Sequence, residues 1–283
     1  MENHCHPHPA RHNTRRASLS LQGRGRLRKK VYYMPQFFIE QECDVGRDVE
    51  LTGSNAHHIS NVLRLEKDDW IILSDGKGRS FRSTIIESNT NRVLAHIDEE
   101  VSAKFIHTAP ILALSVIKRD RFEWAIQKAV ELGCNHIMPM SSKRTVSHRA
   151  NVDSKKLERW RQIALEAAKQ SGLPFRPKID PPIGFDVICE RAANYHPVAM
   201  FYEGEERTSI KDFWNAYRST ERDVPPLIII GPEGGFTDKE VGKARDVGIT
   251  TISLGRQILR VETAAITTLA IWQYELGNMG ACS

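Results

Sequence analysis

Residues 227–240 read LIIIGPEGGFTDKE: four branched apolar residues, a glycine-rich turn, then a helix start. A second turn, LGRQILRVETAA (254–265), follows about twenty residues later, and a third, YEGEE (202–206), precedes it. In open α/β sheets the ligand crevice lies beyond the C-terminal ends of the strands, where such turns fall. A P-loop needs G-x-x-x-x-G-K-[ST], with converging backbone N–H groups and a Lys on the phosphates. Here Pro232 has no N–H to give. Glu233 and Asp238 repel a phosphate, and G-x-G-x-x-G is absent. Gly231, Gly234 and Gly235 instead let backbone approach a flat ring or take positive φ. Glu233 can accept hydrogen bonds from hydroxyls or an amino group, or sit near a cation. Adenosine attached to a sulfonium amino acid meets these demands. The competing reading is a plain strand-to-helix turn with a solvated Glu233.

The elements that would position these turns are strands alternating with helices from about residue 107. ILALSVI, HIMPM, PVAMFY, LIIIG and TTISLG read as strands. DRFEWAIQKAVELG reads as a helix, with Asp120 and Glu123 at capping-box spacing, Phe122, Ile126, Ala129 and Val130 as its apolar stripe, and Gly133 as its stop. Asp153 caps a helix over 153–172 that carries Leu157, Trp160, Ala164 and Ala168 and ends at Gly172. Thr237 and Glu240 form a second capping box, and a last helix presents Ala265, Leu269, Trp272 and Leu276 before Gly277. This is an α/β domain with a mostly parallel sheet. Residues 34–104 instead read as β: VELTG, WIILSDGKGRSFRSTII and RVLAHIDEEV, with a hairpin turn at DGKG (75–78), make a small barrel. One helical interruption, NAHHISNVLRL, groups Ile59, Leu63 and Val62.

The net charge of +5 is unevenly placed. Residues 1–33 carry eight Lys/Arg against one acid, leaving 32 basic and 34 acidic residues in the body, so phosphate contacts there must come from local patches. The first 33 residues read as a disordered basic tail, either an organelle transit peptide or sequence ahead of a true start at Met34. His4, Cys5, His6 and His8 lie in it, and a mobile tail does not fix metal geometry, so no metal site is expected. Five scattered cysteines without a C-x-x-C pair fit a reducing, cytoplasmic setting. No apolar run is long enough to span a bilayer.

IGPEGGFTDKEV followed by LGRQILRVETAA closely resembles the RsmE family of 16S rRNA (uracil-N3)-methyltransferases, of the SPOUT class. HHISNVLRL and DGKG resemble that family's N-terminal PUA-like barrel. KRDRFEWAIQKAVELGCNHIMPMSSKRTV and WRQIALEAAKQS resemble its central section, and the likeness spans about residues 34–277. The resemblance implies a PUA-like β-barrel over 34–104 that positions RNA, and an α/β SPOUT methyltransferase domain over 105–283 with a C-terminal trefoil knot. It implies S-adenosyl-L-methionine as cofactor, a homodimer, and 16S rRNA near the decoding centre as substrate, within the small ribosomal subunit. Carried onto this chain, the cofactor cradle is Phe201, Tyr202 and Glu203, then Ile230, Gly231, Pro232, Glu233, Gly234 and Gly235, then the stretch from Leu254 to Thr263, with Leu254, Gly255, Ile258, Leu259, Arg260 and Thr263 singled out.

Transfer of a methyl group to uracil N3 requires removal of the N3 proton. Arg260 is the first candidate catalytic residue, polarising a uracil carbonyl and stabilising the imide anion. Glu262 is the second, as base or as the partner orienting Arg260; the bland reading is an Arg260–Glu262 ion pair or a helix cap. Arg64, Lys118, Arg119, Arg121, Lys143, Arg144 and Arg176 are the candidate RNA contacts, against a reading as solvated charges. His57 and His58 read as packed rather than catalytic. The family usually has an Arg after AAKQS; Leu173 stands there, so either Arg176, three residues on, substitutes for it or this contact to RNA is lost. Two other functions remain: a SPOUT enzyme acting on another RNA position such as a ribose 2′-OH, and a non-catalytic RNA-binding protein on the same fold.

Overall fold

The structure, a computed structural model, describes residues 35–41, 43–101, 109–146, 152–217 and 224–279. The histidine-rich start of the chain lies outside them.

Five strands make the first sheet: β1 (Gln36–Phe38), β2 (Asp48–Thr52), β3 (Trp70–Ser74), β4 (Ser80–Ser88) and β5 (Arg92–Glu100), in the order β1-β3-β4-β5-β2. Period-two alternation turns Val49 and Leu51 of β2, and Val93, Ala95 and Ile97 of β5, into one core with Phe37, Ile71, Leu73 and Phe81. The DGKG hairpin forms as expected between β3 and β4. Asp75 Oδ1 accepts from the backbone N–H of Lys77 at 2.7 Å and of Arg79 at 3.0 Å, which closes the turn. The helical interruption is α1 (Gly53–His57) followed by a wide π turn over His58–Val62, closed by Leu63 N–H to His58 O at 2.9 Å. The extra residue per turn rotates Val62 away from buried Ile59, leaving it 60% exposed rather than grouped with Ile59 as the spacing suggests. His58 packs edge-on against Phe37.

The second sheet has seven strands: β6 (Ile111–Ser115), β7 (His136–Ser141), β8 (Lys178–Ile179), β9 (Ile183–Gly184), β10 (Val198–Phe201), β11 (Leu227–Ile230) and β12 (Thr250–Ile252). Its order is β12-β10-β11-β6-β7-β8, with β9 also on β7, and every pair is parallel. The central strands β6, β10 and β11 are buried along their whole length, as strands covered on both faces must be. The covering helices are α2 (Arg119–Glu131), α3 (Ser154–Ser171), α4 (Phe185–Glu190), α5 (Ile210–Tyr217), α6 (Asp238–Asp246) and α7 (Val261–Glu275). The sheet thus has one core with α2, α3, α5 and α7 and a second with α4 and α6.

Asp153 caps α3 through Lys156 N–H at 2.7 Å, and Gly172 ends it in the left-handed region. Thr237 and Glu240 form the reciprocal box at the start of α6. The box expected from Asp120 and Glu123 does not form. α2 starts at Arg119, with Lys118 at the cap position and no side-chain cap bond. Glu123 is taken by Arg159 of α3, at 2.7 and 2.8 Å, and by Arg119 at 3.1 Å. Arg159, then Arg119, hold its carboxyl below the usual range.

The two sheets meet through the segment Leu173–Arg176. Leu173 is buried in the core, and its carbonyl accepts from Gln36 Nε2 at 2.7 Å. Ser74 Oγ donates to Pro174 O at 2.8 Å, and Arg176 N–H to Gly76 O at 2.9 Å. The Arg176 guanidinium lies over the Phe38 ring, 5.6 Å from its centroid. The position where the family's arginine was expected is therefore part of an apolar joint.

Candidate active site

The three turns beyond β10, β11 and β12 converge on one cleft. Of the fifteen cradle residues singled out from the sequence, twelve line it: Phe201, Tyr202, Glu203, Ile230, Gly231, Pro232, Glu233, Gly235, Leu254, Gly255, Ile258 and Leu259. Gly234, Arg260 and Thr263 do not. Within the third stretch Arg256, Gln257 and Val261 also line the cleft, and Phe236, Ser253 and Ala264 join from just outside the expected ranges. Helical spacing from Arg260 leads to Ala264; nothing in the sequence marks Ser253.

The middle turn is closed by Gly235 N–H to Pro232 O at 2.9 Å, with Gly235 at φ +69°. A Cβ on Gly231 would sit 2.6 Å from the Phe236 ring, which is buried against Phe185. Arg144 Nη1 donates to Gly234 O at 2.8 Å and to Phe236 O at 3.4 Å, and Lys143 N–H donates to Glu240 Oε1 at 2.8 Å. The loop after β7 thereby braces the glycine turn, so the Arg144 guanidinium is engaged within the protein. Arg121 is engaged too: its Nη2 donates to Glu233 Oε1 at 2.6 Å, and its Nη1 lies 3.9 Å from Glu262 Oε1. Arg119 pairs with Glu123. Arg64 is exposed just after the first sheet's helical turn, at φ +53°, and Lys118 and Lys143 have exposed side chains.

The first turn is built around Glu205. Its carboxylate accepts from the Thr251 hydroxyl, from Arg207 N–H at 2.8 Å, from Arg245 Nη2 at 2.7 Å and from Thr208 N–H at 3.3 Å. These donors, the Thr251 hydroxyl foremost, lower its pKa to about 2. A carboxyl whose folded pKa is depressed stabilises the fold above its unfolded pKa and loses that contribution as pH falls through the folded value. Glu205→Gln is therefore expected to lower Tm at pH 7, with the gap to the parent closing between pH 4.5 and about 2. Parallel thermal melts across that range measure it, and a gap that does not vary with pH refutes it.

Arg260 is the N-cap residue of α7. It has extended backbone, no side-chain cap bond, an exposed side chain and no ion pair among the described residues. The alternative Arg260–Glu262 ion pair is absent. Glu262 pairs with Arg121, is buried at 7% exposure, and its Oε2 has no hydrogen-bond partner. An exposed guanidinium and a helix N-terminus, where backbone N–H groups favour negative charge, thus stand together beside the cleft. That arrangement can stabilise an anion developing on a flat ring.

Comparison with known proteins agrees with this architecture. The family model for the RNA methyltransferase domain matches residues 107–273, and that for the RNA methyltransferase PUA domain matches residues 51–98. The ribosomal RNA small subunit methyltransferase E of Mesomycoplasma hyopneumoniae is 37% identical, over 83% of this chain and 97% of its own. That of Bacillus subtilis is 30% identical, over 86% and 97%. The crystal structure of the Neisseria gonorrhoeae ribosomal RNA small subunit methyltransferase E, bound to S-adenosyl methionine, is 28% identical and superposes with a TM-score of 0.71 over 86% of this chain and 98% of that one. The fold is accordingly the expected one, a PUA-like β domain joined to a SPOUT-type parallel sheet. With its cleft, its domains and its relatives in agreement, this chain belongs to the ribosomal RNA small subunit methyltransferase E family.

Proposed function

We propose that this chain methylates N3 of a uridine in small-subunit (16S) rRNA, near the decoding centre, with S-adenosyl-L-methionine as methyl donor. The observation that carries the reading is the chemistry of the cleft. Its lining combines apolar Phe201, Ile230, Leu254 and Leu259 with the carboxylates of Glu203 and Glu233, and Arg256 is its single cation, with no lysine. Such a lining suits an adenine ring, ribose hydroxyls and a cationic sulfonium amino acid, and it does not suit a polyphosphate. The Gly235 turn leaves no room for a Cβ beside Glu203, which keeps backbone close to the ligand space. S-adenosyl-L-methionine supplies the electrophilic methyl group when bound.

The chain's own residues supply orientation and charge. Arg260 holds a uracil carbonyl and stabilises the ring anion as the N3 proton leaves. Glu262 acts as base or through the first turn of α7. N3 is hidden in any base pair, so the uridine must be unpaired or extruded, which costs a few kcal/mol. Arg64, Lys118, Lys143 and Arg176 are the exposed cations left to hold RNA backbone, with residues 34–104 positioning the RNA and 105–283 carrying the chemistry. The knotted SPOUT topology and a homodimer complete this reading. Tyr274 of α7, 65% exposed, and Trp124 of α2, 45% exposed, offer apolar surface for such a dimer. The cytoplasm is the expected location.

Mass mapping of small-subunit rRNA tests the proposal. A strain lacking this chain is expected to lose one 3-methyluridine, and re-expression to restore it. Intact 3-methyluridine with a missing ribose methyl would transfer the activity to another RNA position. Calorimetry that finds no uptake of S-adenosyl-L-methionine would leave a non-catalytic RNA-binding protein.

A further inference from the structure

We propose that Arg121 is a positioning residue for methyl transfer, tying the glycine turn to the first turn of α7 and thereby setting the direction of Arg260; the inference rests on the functional reading above. α2 and α7 pack side by side and run the same way, because polar contacts join their starts and their ends. At the far end Gln273 Nε2 donates to Leu132 O at 2.6 Å and passes over Gly133, where a Cβ would collide with its amide. That clamp fixes the register of α7 against α2. At the near end Arg121 bonds Glu233 of the glycine turn at 2.6 Å and reaches to 3.9 Å from Glu262.

Glu262 makes this near clamp consequential. It stands two residues after Arg260, is nine-tenths buried, and has one carboxylate oxygen without a hydrogen-bond partner. Among the described residues Arg121 is the cation paired with it, and removing the partner of a buried carboxylate is costly. Without Arg121, Glu262 turns toward water. Turning rotates the first turn of α7, and Arg260, whose backbone is the cap of that turn, moves with it. Glu233 loses the same cation, so the tie between the glycine turn and the helix start is cut. A misplacement of about 1 Å near a reacting centre costs on the order of 100-fold in rate.

The test compares the parent chain with Arg121→Gln and Arg121→Lys in single-turnover methyl transfer to small ribosomal subunits, alongside calorimetry with S-adenosyl-L-methionine and thermal melts. The expected result is a fall in rate of about 30- to 100-fold for Arg121→Gln at saturating cofactor, with cofactor affinity changed less than about fivefold. Arg121→Lys, which keeps the charge but not the fork, should recover part of the rate. A rate within twofold of the parent, a loss that lies wholly in cofactor affinity, or a lysine variant no better than glutamine overturns the proposal. A parent chain that neither binds the cofactor nor methylates would instead overturn the functional reading itself.

Discussion

Arg260→Ala is expected to abolish methylation while leaving affinity for S-adenosyl-L-methionine nearly unchanged. Arg260 does not line the cleft, and its side chain makes no cap bond and no ion pair among the described residues. Truncation therefore removes no support from the ligand space or the helix start. It removes the planar five-donor guanidinium that meets the ring as N3 loses its proton. A donor aimed at charge that develops only in the transition state contributes about 10²- to 10³-fold in rate. Arg260→Lys should fall between, since an ammonium keeps the charge but not the fork. Single-turnover transfer of labelled methyl at saturating cofactor measures the rate, and calorimetry measures the cofactor. Normal turnover in Arg260→Ala would sink the assignment. A parallel collapse of cofactor affinity would move Arg260 from the reaction into the cradle.

The elements legible in the sequence are those fixed by neighbours a few residues away. Alternation along β2 and β5, the Asp75 turn, the Asp153 cap with its Gly172 stop, and the Thr237–Glu240 box all close within one turn or one hairpin. The cleft was legible for a related reason: a glycine turn directly after a buried strand can only lie at the strand's C-terminal end. What the sequence hid was competition over long range. Glu123 has box spacing to Asp120, but Arg159 of another helix takes its carboxylate with two hydrogen bonds. Arg121 and Arg144 sit in KRDR and SSKRTV, where nothing distinguishes them from phosphate-binding cations; the structure pairs them with Glu233 and with the Gly234 carbonyl, about a hundred residues on. Leu173 read as a missing arginine because the joint it fills is made with a strand at the other end of the chain. The strands β8 and β9 have two residues each, too few for any periodicity to register.

Gly235→Ala is expected to weaken S-adenosyl-L-methionine binding by about 5- to 30-fold, the range set by a strain of roughly 1–2 kcal/mol in the left-handed region. Gly235 stands at φ +69°, and a Cβ there would overlap the adjacent Glu203 carboxylate in the cleft lining. The ligand-free chain can escape by opening the turn and giving up the Gly235 N–H to Pro232 O bond. The bound form cannot, so binding must restore the strained turn, and affinity falls with the fraction of chains that hold it. The same substitution one helix later has the opposite sign. Gly242 lies inside α6, and a Cβ on it meets nothing within 4 Å. Gly242→Ala should stabilise the fold by about 0.5–1 kcal/mol through lower unfolded-state entropy. Calorimetry and thermal melts on the two variants separate the effects. Gly242→Ala should melt higher and bind normally; Gly235→Ala should fail chiefly in binding. If Gly235→Ala takes up the cofactor like the parent, the turn does not hold its ligand through close backbone approach, and the argument for a donor without phosphates loses its geometric basis.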